Sequence, residues 1–417
     1  MILAGSAIRK RGHEGGGVEV LLFSPLEGRD PPSGDIAYSE NLLAAPPPGV
    51  TYTTYAQAID DGTLLVRGQR GGGSLVDRGL LGLRVLEMLC RRAGLMFREP
   101  VWFVTIEPGR YDVLHQHLFS VAQIGPRTPV VSSAGYPLDV RYREHDRWPS
   151  WRTRSATALE VLLAHVMRVH VPWLHHVSPA VSTGYTETFR KTFLGKGAPR
   201  METAVLSTFL AALPGDQPTP DRSKQAAGRL VFVGRDFVRK GGPVAVAAFQ
   251  LMRQYDPAVT LDVVTTAQSA QEVTPLDGLR IHRDLPHSEV LELLDKSDVM
   301  LAPTFSDCGA PYGVLEALRA GCGVVMPQSP WLDDRLVAPA AARVQALPAE
   351  TAAGAVRLLE LRRQGATHAQ SCHRCWSDYF SEAAFHPQLK ACYDQAQQHA
   401  GTLDNSSLTR RLGAPER

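Results

Sequence analysis

Residues 230–242 read LVFVGRDFVRKGG, and the fold is decided there. Leu230-Val231-Phe232-Val233 runs apolar without a polar break, the pattern of a parallel strand covered on both faces. Gly234 lets the chain leave that strand without a side-chain clash. A helical pattern over 242–255 follows the charged loop. Short apolar runs recur at 260–265, 279–282, 299–303 and 323–327, with helical patterns near 288–296 and 313–320. The N-terminal half shows the same alternation. Strands are expected at 18–25, 101–106, 111–115, 129–133 and 176–179, and helices at 36–45, 77–93 and 155–171. Strands alternating with helices predict α/β halves built on parallel sheets.

The chain has 417 residues, which suits two domains at roughly 100–200 residues each. Residues 213–227 (LPGDQPTPDRSKQAA) are rich in Pro, Asp, Ser and Gln and read as a linker. The expected organisation is a mobile leader over 1–17, an N-terminal Rossmann-like domain over 18–212, the linker over 213–227 and a C-terminal Rossmann-like domain over 228–375. A helix over 376–400 is expected to pack back on the N-terminal domain, ahead of a disordered tail over 401–417. Two such halves face a central cleft, and open α/β sheets bind ligands at the carboxyl ends of their strands.

Composition excludes several classes. With 44 basic and 42 acidic residues, the balance of +2 gives no general affinity for nucleic acid. Six cysteines in so long a chain are no disulfide scaffold, and a cytoplasmic setting is expected. The N-terminal Met1–Ala7 run is too short for a signal peptide's apolar segment, and no run of about 18 apolar residues spans a membrane. The stretch 139–154 (DVRYREHDRWPSWRTR) interleaves arginines with Tyr142, Trp148 and Trp151. That pattern fits a stacking acceptor, a peripheral membrane contact or a plain solvated loop. Arg84, Arg91, Arg92 and Arg98 add charge to the same domain.

Two stretches carry chemistry. In the first, Arg235 and Lys240 sit five residues apart in the loop after Gly234. Together they offer a planar fork and a point charge to one anion, a diphosphate above all, and helix amides near Gly241-Gly242 add positive potential. Two surface cations in a solvated loop are the competing reading. The second, 303–321, reads PTFSDCGAPYGVLEALRAG. Its amides at Gly309, Tyr312 and Gly313 can cradle phosphate, and its carboxylates Asp307 and Glu316 can accept paired sugar hydroxyls. A helix cap at Asp307 and a solvated Glu316 are the alternatives.

Taken together, GRDFVRKGG and PTFSDCGAPYGVLEALRAGCGVV resemble the GT-B glycosyltransferases, in particular the retaining enzymes of family 4. The resemblance covers most of 228–345 and is weaker in the N-terminal half, at 24–50, 111–117 and 128–133. It implies a hexosyltransferase that moves a sugar from a nucleotide-diphosphate donor, uridine or guanosine, to an acceptor hydroxyl. The expected acceptor is a carbohydrate, a lipid-linked molecule or a small molecule. It also implies retention, no metal and no other cofactor. By the same resemblance Arg235 and Lys240 hold the diphosphate, Glu316 the ribose, Asp307 the donor sugar, and Arg283–His287 approach the base. Two departures stand out. The carboxylates are spaced Asp307-x8-Glu316, one residue longer than the family's Glu-x7-Glu, so strict spacing puts Cys308 first. Ala134-Gly135 stands where a histidine is common.

His115 and His117, at the end of an N-terminal strand, are the candidate replacements, with His117 favoured as a catalytic group and a structural role as the alternative. Gly34 permits close approach to the donor, while Asp35 either binds an acceptor hydroxyl or caps a helix. Cys372-His373-Arg374-Cys375 lacks a partner pair for zinc. No Asp-x-Asp pair is present, in line with cations neutralising the diphosphate. A non-catalytic sugar-nucleotide binding protein and a sugar-nucleotide epimerase on the same fold are the rival functions.

Overall fold

The computed structural model describes residues 17–24, 34–68, 78, 79, 81, 82, 85, 88, 89, 101–117, 120–124, 128–133, 174–178, 203–205, 209–211, 228–304, 310–328, 332, 334–365 and 367–411. The leader, the linker, the 139–154 segment, the helix expected at 155–171, Ala134-Gly135 and 305–309 lie outside them.

The N-terminal elements are β1 (Val18–Phe23), α1 (Gly34–Ala44), β2 (Val50–Thr54), α2 (Tyr55–Asp60), β3 (Leu64–Val66), β4 (Val101–Ile106), β5 (Val113–His117), β6 (Ser120–Gln123), β7 (Val130–Ser133), β8 (Leu174–Ser178) and β9 (Thr203–Val205). The C-terminal elements are β10 (Arg229–Val233), α3 (Gly242–Tyr255), β11 (Thr260–Thr265), β12 (Leu279–Arg283), α4 (His287–Lys296), β13 (Val299–Leu301), α5 (Tyr312–Arg319), β14 (Gly323–Pro327), β15 (Ala341–Val344), α6 (Pro348–Arg363), α7 (Thr367–Tyr379) and α8 (Glu382–Arg411).

Each half is a six-stranded, wholly parallel sheet. The orders are β2-β1-β5-β7-β8-β9 and β12-β11-β10-β13-β14-β15. The second is the doubly wound 3-2-1-4-5-6 order, in which the chain reverses direction of travel at β10.

Strand alternation explains how the core divides. In β10, Leu230 and Phe232 join a layer with α3 and α6, while Val231 joins the layer with α4, α5 and α7. Val299 and Leu301 against Met300, and Val325 against Val324 and Met326, split the same way. Successive side chains point to opposite faces, so a helix-covered sheet needs apolar residues at every position.

The N-terminal sheet is covered differently on its two faces. Leu21, Phe23, Leu114 and Val130 pack against α2 and a small sheet ordered β3-β4-β6. The run at Val101–Ile106 therefore belongs to this second sheet, where β4 pairs antiparallel with β3 and parallel with β6. Val18, Val20, Leu22, Val113 and Val131 pack on the other face against α1 and the C-terminal helix α8, through Phe385, Leu389, Tyr393 and Ala396. The C-terminal stretch is two helices with a break at Phe380-Ser381, and α8 runs on to Arg411, through residues expected to be a disordered tail. At the break the Ser381 hydroxyl bonds back to the Ser377 carbonyl, and the next helix starts from the Ser381 carbonyl.

A buried polar chain fastens α8. The Tyr393 hydroxyl lies 2.7 Å from His115 Nδ1 and 2.9 Å from the Tyr52 hydroxyl. Burial first, then the neighbouring His117, pushes the His115 imidazole down from 6.5 to about 3, so it is neutral at physiological pH. A depressed histidine favours folding above its free value and loses that contribution as pH falls from 6.5 toward 3.

Tyr393→Phe strips both buried partners of a hydrogen bond and should cost about 1–3 kcal/mol. The shift in the urea unfolding midpoint at pH 7 measures it, and an unshifted midpoint would show that the chain of hydroxyls carries no stability.

Candidate functional site

β10 lies between β11 and β13, so the loops leaving β10 and β13 border the crevice at the point where strand order reverses. The first loop runs from Gly234 to Gly241. Phe237 is 2% exposed, stacks edge-on to Phe232 at 5.6 Å and anchors the loop in the core. Asp236 Oδ1 accepts from the Arg239 amide at 2.9 Å, and the Asp236 carbonyl accepts from the Lys240 amide at 3.0 Å. The Gly234 α-carbon rests against the Lys240 stem, so that a Cβ there would lie 2.8 Å from Lys240 Cβ. Arg235 is exposed and Lys240 half-buried.

Gly241 has φ of +81°, and a Cβ on it would lie 2.4 Å from the Pro303 carbonyl oxygen. The β10 loop and the segment leaving β13 thus touch backbone to backbone. The Gly241 and Gly242 amides donate to the Val238 and Phe237 carbonyls at 3.0 and 2.8 Å, and Pro243 has no amide hydrogen. The expectation that these amides face an anion is corrected: they are bonded within the loop, whose cationic side chains are Arg235, Arg239 and Lys240, with Arg239 paired to Asp236.

Asp307, Cys308 and Gly309 lie outside the described residues. Beyond them, α5 opens at Tyr312-Gly313 behind Pro311. Tyr312 packs against the cores of both halves. Among the described residues a Cβ on Gly313 would meet only Met300 Cε, at an ordinary 3.4 Å, so their packing does not demand glycine there.

Glu316 is one turn into α5. Its Oε1 lies 2.8 Å from His287 Nε2, with the two side chains 11% and 49% exposed. His287 is the first residue of α4, and the turn that presents it is strained. Asp284 has φ of +48°, held by its amide to the Thr265 carbonyl at 3.0 Å and by the Ala267 amide to its carboxylate at 3.0 Å. Arg283, the last residue of β12, is exposed at this edge. The bond to Glu316 raises the His287 pKa above 6.5 against burial, with further help from the charges of Glu316 and of Glu40 on α1 and opposition from Arg319. The pair itself was invisible in sequence, since it joins two helices 29 residues apart with no spacing rule.

The N-terminal candidates sit behind α1. His117 is 1% exposed, with its ring 4.5 Å from that of Tyr38. The Ser24 and Ser39 hydroxyls bond to each other and tie the end of β1 to α1. Gly34 is the first residue of α1. The Cys372–Cys375 side chains diverge: Cys372 faces His368 at 3.8 Å and Cys375 donates to the Arg335 carbonyl at 3.6 Å. Burial pushes the Cys372 thiol up to about 12. Among the described residues no group of three or more His, Cys, Asp or Glu could hold a metal ion, and no helix is long and apolar enough to cross a membrane.

Residues 227–360 match the family described as Glycosyl transferases group 1. No curated protein matches the chain by sequence. Among solved structures, the chain is similar to Anabaena Alr3699/HepE in complex with UDP, with a TM-score of 0.53 at 14% identity over 91% of this chain and 100% of that one. It is also similar to WaaG, a glycosyltransferase involved in lipopolysaccharide biosynthesis, with a TM-score of 0.51 at 13% identity over 89% and 98%. The fold is GT-B, with two Rossmann-like domains.

Two outcomes follow from this geometry. Gly241→Ala should cost about 2–4 kcal/mol, the sum of left-handed strain and a backbone clash, read from unfolding midpoints. His287, followed by NMR, should titrate above 6.5 and fall back in Glu316→Gln. A raised imidazole supports folding below its free value and loses that support as pH rises through the folded value. An unmoved midpoint in Glu316→Gln would sink the assignment of cause.

Proposed function

We propose that this GT-B chain transfers a sugar from a nucleotide-diphosphate sugar to an acceptor hydroxyl, with retention of configuration and without a metal. The observation that carries the reading is the contact of Gly241 with the Pro303 carbonyl at the switch point. It brings the Arg235–Lys240 loop beside the strand end that leads to Glu316, inside the stretch that matches the group 1 glycosyl transferases.

Breaking the bond between the anomeric carbon and the leaving oxygen develops negative charge on the diphosphate. Arg235 and Lys240, on a loop stiffened by Phe237 and Asp236, are placed to stabilise that charge as it forms. The sugar carbon becomes oxocarbenium-like, as in glycoside hydrolysis. The acceptor hydroxyl attacks on the face the diphosphate leaves, and its proton passes to the departing diphosphate oxygen. Glu316 holds the ribose and Asp307 the donor sugar in this scheme. Gly313, which packing leaves free to be larger, is glycine because the donor's phosphates approach α5 there. That Alr3699/HepE is solved with UDP supports a nucleotide in this fold, and WaaG's role in lipopolysaccharide biosynthesis makes a carbohydrate or lipid-linked acceptor the first to try. His117, enclosed by Tyr38, has no step assigned to it.

Incubation with a panel of nucleotide sugars, with released nucleoside diphosphate as the readout, tests the reading. Arg235→Ala and Lys240→Ala should each lower donor turnover roughly 100- to 1,000-fold with melting temperature kept. Gly313→Ala should melt like the parent and still turn over more slowly. Full turnover in both cation variants would remove the mechanism.

A further inference from the structure

The carboxylate assigned to the ribose is not presented bare. Glu316 is nearly buried, and one of its oxygens is already engaged by His287 at 2.8 Å. Among the described residues no other group bonds this carboxylate, and its second oxygen, Oε2, is not one of the buried side-chain atoms left unpaired. Oε2 is therefore not wholly sealed from solvent. A carboxylate with one oxygen tied is restricted to a single presentation of the other.

The holder is itself fixed. His287 begins α4 directly after the strained Asp284 turn and Pro286. The turn is pinned by the Thr265 carbonyl and the Ala267 amide, both from the end of β11. On the far side of Glu316, Arg319 reaches over from the same helix and donates to the Ala211 carbonyl at 2.9 Å. Glu40, from α1 of the N-terminal domain, faces His287 electrostatically. The imidazole is thus placed by backbone geometry and meets Glu316, Arg319 and Glu40 as its charged neighbours.

We propose that His287 is a positioning residue for the donor's pentose: its Nε2–H fixes Glu316 Oε1 so that Oε2 is aimed at the ribose hydroxyls. This deepens the functional reading above and rests on it. His287 touches the ribose only through Glu316, so its loss should blunt recognition of the hydroxyls while leaving the diphosphate grip of Arg235 and Lys240 in place. Glutamine, whose amide can donate from a similar point, should substitute for it.

The test is equilibrium binding by calorimetry to uridine, guanosine and adenosine diphosphates. The tightest is then compared with its 2′,3′-dideoxy counterpart and with inorganic pyrophosphate. A hydrogen bond to a charged acceptor gives the wild type a preference of at least about tenfold for the ribose form. His287→Ala should cut that preference at least fivefold while pyrophosphate binding changes less than twofold, and His287→Gln should keep it. An undiminished preference in His287→Ala overturns the proposal and leaves the functional reading intact. A wild type that binds none of the three nucleotides overturns both. Should the alanine variant fail to fold, the wild type decides alone. The NMR titration midpoint of His287 should move more with the ribonucleotide than with the dideoxy form, and equal shifts overturn the proposal.

Discussion

The Gly241 α-carbon lies against the Pro303 carbonyl with no room for a single methyl group, and the rest of the candidate site depends on that contact. Parallel strands at a switch point diverge in the connections they send out, which opens a crevice between the loops of β10 and β13. If Gly241 carried a side chain, the two loops would be held apart and the cationic loop would stand away from α5. The left-handed turn at Gly241 serves two ends at once, because it opens helix α3 and lets the neighbouring backbone pass. Gly242 beside it is set against the ring of Phe237, the residue that anchors the loop.

The way the loop satisfies its own amides decides where positive charge can come from. Helix N-termini bind anions when their first amides are unbonded. Here Gly241 and Gly242 donate to loop carbonyls and Pro243 has nothing to donate. Charge must come from side chains, which suits a ligand whose negative charge grows during reaction. Lys240 is half-buried, and its stem rests against Gly234. Asp236 engages Arg239 rather than the two cations assigned to the ligand.

Much of this was legible in the sequence, and the failures have physical causes. The continuous apolar runs at Val231-Phe232 and Val324-Val325-Met326 announce strands buried on both faces, because alternation would have left one face polar. Val101–Ile106 carries the same apolar signal, yet it belongs to the small sheet over β1 and β5. Burial is shared by both settings, and only pairing distinguishes them. Helix α6 escaped notice because the first half of its buried stripe, Thr351, Ala352, Gly354 and Ala355, is made of small residues. Gly354 sits on Val325 and Val344, where a Cβ would lie 3.1 and 3.2 Å from their methyl groups. Close backbone approach does the packing there, and a pattern of large apolar residues never develops. His117 looked like a cleft residue from its place at a strand end. Tyr38 lies over it, and although helix α1 was expected at 36–45, nothing local says that its Tyr38 ring packs on His117. The Glu316–His287 and Tyr393–His115 contacts are tertiary pairs that no local rule encodes.

Among the described residues, the stretch at 209–211 that precedes the linker runs beside the junction of α7 and α8. The Leu210 amide bonds the Phe380 carbonyl at 2.9 Å, and Trp376 Nε1 donates to the Leu210 carbonyl at 3.3 Å. That stretch is tied in turn to α1 by Asn41, whose Oδ1 accepts from the Ala211 amide at 3.1 Å, and to α5 by Arg319. From the same junction α8 enters the N-terminal core, where Phe385 stacks on Phe209 at 4.3 Å. Helices α5 and α1, from the two halves, thus both bond to Ala211, so that the end of α5 that follows Glu316 is held against the N-terminal half through one residue.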